Sequence, residues 1–287
     1  MSGLYQPKVY RKDGGDTMVV AIGGAILDER NLASIYVDQD GSDTLGDGSL
    51  FSPFATLTKA LTLVTATRKN IKIMSPGEYA EAAAFSWPNV TELSIIGADG
   101  NGGTVISGPT TGPVITINPT YGQGFEAFLE NICIKHGVAP STAQHGLLID
   151  NEHMTTFKLL VHLKNVTFEQ VSTGDSIHVD HTLTTQAIRI YANGDQAEIE
   201  GPVNITTINA ADRFRLTGFM LSGGLVTNAD DVASEITLKD CSWPAGAITG
   251  GHGNQKLNTI GCYTFDGTTY AAVDLSTTHA NVNVKLT

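Results

Sequence analysis

Basic residues, cysteines, aromatics and long apolar runs are all scarce in this chain, and each scarcity removes a class of protein. Lys and Arg number 17 against 29 Asp and Glu, for a formal net charge of −12. A surface so short of cations has little with which to neutralise a phosphate backbone, so nucleic acid is excluded as a partner. Cys133, Cys241 and Cys262 show no CxxC spacing, which rules out a zinc framework and a dense disulfide scaffold. No apolar run approaches the roughly 20 residues that cross a bilayer, so no membrane partner is expected. The N-terminus lacks the basic and apolar regions of a secretion signal, so synthesis in a cytoplasm is expected. Aromatics make up 7% of the chain and are spread along it, which offers no local cluster of rings for a ligand.

What remains is 41% hydrophobic and only 16% charged, with 31 glycines and many Thr, Asn and Ser. That usage builds a real core from short strands and tight turns. The stretch Tyr36–Val64, YVDQDGSDTLGDGSLFSPFATLTKALTLV, organises the rest. A strand (Ile35, Val37) enters a loop dense in Asp and Gly, and the loop enters a helix. Ser52 is placed to cap that helix and Pro53 to occupy its first turn. Phe54, Leu57, Leu61 and Val64 form one apolar face, so the spacing predicts an amphipathic helix over 54–64. No second helix of this quality follows.

From Asn70 onward short β-branched runs recur, and a repeat Leu-x-x-Φ-x-Φ emerges, where Φ points inward. Its copies are Leu129, Ile132, Ile134; Leu163, Val166, Phe168; Leu216, Phe219, Leu221; Leu238, Cys241, Trp243; and Leu257, Ile260, Cys262. Ile199, Val203 and Ile205 read as a sixth copy with an extra residue at Gly201-Pro202. The third position holds turn formers (Asn131, Asn165, Gly218, Asp240) that tolerate a left-handed corner. The second position (Glu130, Lys164, Thr217, Lys239) faces out. Repeats of this length mean stacked coils, none stable alone, with a continuous apolar core running through the stack.

The pattern YVD-x-x-GSD-…-GDGS-…-PFATL-x-KAL resembles the opening segment of right-handed parallel β-helix proteins, including pectate-lyase-like folds and phage tailspikes. The expected fold is therefore all-β: a single-stranded right-handed parallel β-helix, with an N-terminal capping helix and an extended N-terminal arm. Two domains are expected, an arm at 1–34 and the helix at 35–287. The C-terminal piece reads as further strands with no cap of its own.

The arm carries two short apolar runs, Met18–Ile22 and Ala25–Leu27, parted by Gly23-Gly24. Neither is large enough to offset its own ordering entropy, so each needs a surface to pack on. KVYRKDGGDTMVVAIGG is similar to the opening of tailed-phage head-decoration and head-fibre proteins, departing from them at Ile22 and Ala25. That resemblance implies a structural protein on the virion surface, with the major capsid protein or another virion protein as partner. The unburied apolar runs, the exposed ends of the column and the absence of a C-terminal cap, with the likeness to β-helical phage appendages, lead to the expectation of a homotrimer in which Val19, Val20, Ile22, Ile26 and Leu27 bury around a threefold axis. Tyr5, Tyr10 and Arg11 would then touch the capsid. A host-surface glycan is a further candidate partner, either for an adhesin or for a tailspike-type depolymerase.

Three constellations bear on chemistry. Asp230-Asp231 followed by Gly251-His252-Gly253 is similar to a fragment of the pectin-hydrolase site, and two acids with a histidine suit acid/base work on a sugar. The companion motifs of that site are missing, because Asn209 to Asp212 is one residue too long and Lys285 has no Arg partner. The three residues are therefore expected to be loop residues. His178-Val179-Asp180-His181 places His178 and Asp180 on one face and His181 on the other, too few converging ligands for a metal. Asp38, Asp40, Asp43 and Asp47 lack the order of a calcium loop and fit turn chemistry. No cofactor is expected.

Overall fold

The structure, a computed structural model, describes the strands at 8–11, 18–22 and 25–27, the span 34–265 with gaps, and the strands at 270–272 and 283–284. The gaps are 82–84, 89, 99–102, 110, 119–124, 137–143, 151–157, 172, 182–185, 208, 230–233 and 251–255.

The column is a parallel β-helix. Long strands lie side by side, one per coil: Phe125–His136, Leu159–Gln170, Ile188–Ile199 and Arg213–Leu221. Each pairs in parallel with the next. Before them come Ser34–Val37, Asn70–Ile73 and Glu92–Ile96; after them come Glu235–Lys239 and Lys256–Ile260. A second parallel sheet runs from Phe85–Ser86 through Ile115–Ile117, Leu147–Asp150, Ile177–Asp180, Val203–Thr207 and Leu225–Ala229 to Ile248–Gly250.

Three of the long strands, and the junction after Glu235–Lys239, bend where a single residue adopts a left-handed backbone. Asn131, Asn165, Gly218 and Asp240 have φ of 57°, 51°, 71° and 51°. At such a corner the alternation of side chains restarts, so Leu129 and Ile132 both point inward although three positions apart. Asn165 Nδ2 donates to Asn131 Oδ1 at 3.1 Å, so neighbouring corners also bond to each other. Inward side chains stack on their register partners: Leu129 on Leu163, and Ile134 on Phe168, all at most 1% exposed. Phe219 and Trp243 are likewise buried.

Two copies of the repeat sit differently from the sequence reading. The coil between Leu163 and Leu216 contributes Ala192, Ala197 and Ile199, while Val203 and Ile205 belong to the second sheet. Its corner is a bulge with Asp195 and Gln196 both at positive φ, and two extra residues there hide the repeat. In the last coil Lys239 pairs with Ile260, which is 42% exposed, so the corner is Gly261, and Cys262 rather than Ile260 opens the inward half. All three cysteines are free and buried.

The helix is shorter than its apolar spacing predicts, spanning Leu57–Leu61 with Thr56 as N-cap. Phe54 is instead bridged in parallel to Val37, and its N–H donates to the Tyr36 carbonyl. Ser52 bridges back to Ser49 in the loop. Asp43 Oδ1 accepts from the N–H groups of Ala55 and Thr56 and holds that stretch to the loop, while buried Glu81 accepts from those of Leu57 and Thr58, first-turn donors with no partner inside the helix, so the helix begins at Leu57. Leu57, Ala60 and Leu61 then close over the first coil, beside Ile35 and Val37. At the other end Tyr270–Ala272 turns back antiparallel on Tyr263–Phe265.

Inward and outward aromatics should therefore differ sharply. Phe168→Ala empties a fully enclosed site and should cost about 3–5 kcal/mol in chemical denaturation. Phe128→Ala, on the outer face, should cost well under half of that. Equal losses would contradict the assignment of faces.

Candidate functional site

The outer face of the long strands, before the corner, carries the most distinctive surface. Phe128, His162, Tyr191 and Arg215 are successive register partners on four neighbouring coils. Each is flanked by inward residues, so strand alternation turns it outward. The Phe128 and His162 rings are stacked, with centroids 4.6 Å apart and planes at 10°. His162 and Tyr191 follow at 5.6 Å and 29°. Three flat faces thus form one continuous strip along the column axis.

A groove of about 460 Å³ lies over this strip. Its second wall is the next outward column, Glu130, Lys164, Asn193 and Thr217. Lys164 Nζ donates to Glu130 Oε1 at 2.6 Å, and His162 Nε2 lies 2.9 Å from Glu126 Oε1. On the other side a smaller, more polar recess of about 260 Å³ is bounded by Arg189, Arg213, Arg215 and Glu235. Arg213 Nε lies 3.4 Å from Glu235 Oε2. Glu126 and Glu130 are four residues apart on one strand, about 13 Å by strand rise, wider than the carboxylate pairs that cleave glycosides. Each is held by a base from the next coil, so the arrangement offers flat apolar faces edged by fixed polar groups.

The sequence missed this strip, since its members are separated by unequal numbers of residues. Only the outward position of each coil, read after alignment on the corners, would have found it.

The residues singled out from sequence lie elsewhere. Asp230, Asp231, His252 and Tyr5 fall outside the described residues. Tyr10 and Arg11 lie in the strand Lys8–Arg11, Val19, Val20 and Ile22 in Met18–Ile22, and Ile26 and Leu27 in Ala25–Leu27. These three strands pair antiparallel in the order of the chain, Tyr10 opposite Val19 and Val20 opposite Leu27. Asp38, Asp43 and Asp47 accept hydrogen bonds from loop backbone N–H groups, as turn residues do. Asp47 is fully exposed, and the hydroxyl and amide of Ser49 hold its carboxyl below the usual range.

His178 does not join Asp180 or His181. Its Nδ1 donates to Asp175 Oδ2 at 2.6 Å, and its ring stacks on His145 at 4.2 Å. The Asp175 N–H in turn donates to His145 Nδ1 at 3.2 Å. His145, Asp175 and His178 bring one ligand atom each within 4.8 Å of the others. Those atoms are already engaged with one another, and stacked rings do not aim their lone pairs at a common point, so the cluster reads as a polar stack. His181 is buried, its Nδ1 2.7 Å from Asp212 Oδ2 and its Nε2 3.0 Å from the Gln186 carbonyl. Asp212 Oδ1 also accepts from the Ile188 N–H. This pair ties the start of one coil to the next, which is architecture.

A third histidine completes the buried polar set. His136 Nδ1 donates to the Gln144 carbonyl, and Nε2 accepts from Ser176 Oγ at 3.0 Å, while Ser176 Oγ accepts from the Gly201 N–H. Both nitrogens of the His136 ring are thus partnered by one donated and one accepted bond, as a neutral ring requires. Burial pushes the pKa of His136 down, and burial together with the neighbouring His178 does the same to His145.

A stacked parallel column with one ring-lined outer face defines a β-helix protein with a candidate ligand groove. The chain belongs to the DUF1565 family, described as a protein of unknown function and of right-handed β-helix type, whose pattern matches residues 39–213. That span includes Phe128, His162 and Tyr191. No curated protein matches the chain.

His136, buried, and His145, partly buried, set a pH dependence. Both pKa values are depressed on folding, so the stability they contribute is complete above their unfolded value, ~6.5, and is lost as pH falls through it. The melting temperature should hold between pH 7 and 8 and decline from about pH 6.5 downward. A melting temperature that rises over that descent would contradict the lowered pKa values of these two rings.

Proposed function

We propose that this chain is a structural surface protein that binds carbohydrate, without cleaving it, along the groove over Phe128, His162 and Tyr191. The observation that carries this reading is the axial strip of stacked rings. A sugar ring presents an apolar C–H face and a hydroxyl rim, which suits flat aromatic surface edged by hydrogen-bonding groups. Here the edges are Glu130, Lys164, Asn193 and Thr217. The strip runs across coils, so it suits an extended oligosaccharide lying along the column. A nucleic acid backbone meets a net charge of −12.

The test is binding of the purified protein to an immobilised panel of oligosaccharides, followed by calorimetry on the best ligand. Tyr191→Ala and Phe128→Ala should each weaken binding about tenfold or more, the equivalent of ~1.4 kcal/mol, with little change in melting temperature. Binding that survives both substitutions would contradict the reading.

A second reading concerns attachment, and the arm supports it. We propose that residues 1–34 anchor the protein to a tailed-phage particle, through the major capsid protein or another virion protein, as a homotrimer on the virion surface. The support is the likeness of KVYRKDGGDTMVVAIGG to head-decoration and head-fibre proteins, together with the pairing of Lys8–Leu27 into a sheet distinct from the two sheets of the column. Deleting residues 1–30 should abolish attachment to particles and leave the column folded by circular dichroism. A truncated protein that still decorates particles would contradict it.

A further inference from the structure

We infer that the ligand of this groove is an acidic glycan, whose carboxylate or sulfate is taken by Arg189 and Arg215 beside the Tyr191 ring. The inference rests on the carbohydrate reading above and adds the charge of the ligand.

Three of the six arginines in the sequence, Arg189, Arg213 and Arg215, converge on the recess next to the ring strip. In a chain of net charge −12 such a concentration runs against the average. Arg189 and Arg213 are direct register partners on adjacent strands, and like charges side by side in a sheet repel. Tyr191 and Arg215 are the next outward pair on the same two strands.

The local acids account for one arginine. Glu235 sits against Arg213, whose Nη1 also donates to the carbonyls of Ala210 and Asp212, each at 2.7 Å. Glu126 is taken by His162 and Glu130 by Lys164. Among the described residues neither Arg189 nor Arg215 has an acidic partner within ion-pair distance. Arg189 Nε is buried with no hydrogen-bond acceptor, a state that costs the full desolvation of the donor. An anionic group placed between Arg189 and Arg215 meets the two guanidinium groups from the recess and relieves the repulsion between Arg189 and Arg213. Guanidinium forks suit carboxylate and sulfate, which present paired oxygens to them.

The position of the cluster also fixes the class. The positive recess is confined to three neighbouring coils and adjoins flat rings, so it suits a polymer whose charges are spaced along a stack of sugar rings. A uniformly charged phosphate chain would meet the acidic remainder of the surface.

The experiment compares matched oligosaccharides of mannose and of its uronic acid, identical save for oxidation of the exocyclic carbon, with an oligothymidylate as the third probe. Calorimetry on the full chain should show the uronate binding at least about tenfold more tightly than the neutral sugar at low salt. That preference should shrink as salt is raised. Arg215→Gln, at an exposed position, should remove most of the preference, weakening the uronate far more than the neutral sugar, with the melting temperature unchanged. Arg189→Gln should act in the same direction, and Arg215→Lys should restore part of the effect. Equal binding of the two sugars would overturn the acidic class and leave the carbohydrate reading standing. Failure of both sugars to bind would overturn the two together, and tighter binding of the oligothymidylate than of either sugar would replace the glycan with a nucleic acid.

Discussion

In-register pairing between coils governs this molecule. A strand in the column has no stability of its own; it gains it because inward side chains such as Leu129 and Leu163 fall on apolar partners in the neighbouring coils, whose backbone pairs with its own. The corner residues enforce that register. Asn131, Asn165, Gly218 and Asp240 hold a left-handed backbone at the same level in their coils, so Leu129, Leu163, Leu216 and Leu238 arrive at equivalent heights. A slip of one residue would turn each inward row outward. The same register that fills the core lines up the outward positions, and the strip from Phe128 to Tyr191 follows from it.

The buried polar groups serve this geometry. Glu81 collects the free N–H groups at the start of the short helix, and Asp212 fixes both His181 and the start of the strand at Ile188. Such groups would cost several kcal/mol if left unpaired, and each is placed where a loop meets a coil. They recruit donors from segments far apart in sequence, which is how loops of unequal length return the chain to the same register. His136 and His145, with neighbouring coils stacked against them, belong to the same system.

Much of the architecture was legible in the sequence because the core repeats. Leu-x-x-Φ-x-Φ marks inward rows directly, and an Asn or Gly between them marks the corner, so Phe168, Phe219 and Trp243 could be placed inside before any coordinates. The failures have physical causes. The coil of Ala192 and Ala197 lost its signature to small side chains and a bulge, and Ile260 mimicked an inward residue one position before the true corner at Gly261. The helix was overdrawn at Phe54 because apolar spacing does not reveal that Phe54 bridges to Val37 and that Asp43 holds the N–H groups of Ala55 and Thr56 in the loop. The groove was hidden for a different reason: outward residues follow no hydrophobic rule, and coil lengths vary, so Phe128, His162 and Tyr191 become neighbours only once the register is known. The arginine recess is invisible for the same reason.

The groove is the point where register becomes function, and a structure of the protein soaked with an acidic oligosaccharide tests that step most directly. The account predicts sugar rings lying face-on over Phe128, His162 and Tyr191, with an acidic substituent between Arg189 and Arg215. Sugar bound on another face of the column, or rings of the strip turned away from one another, would contradict it.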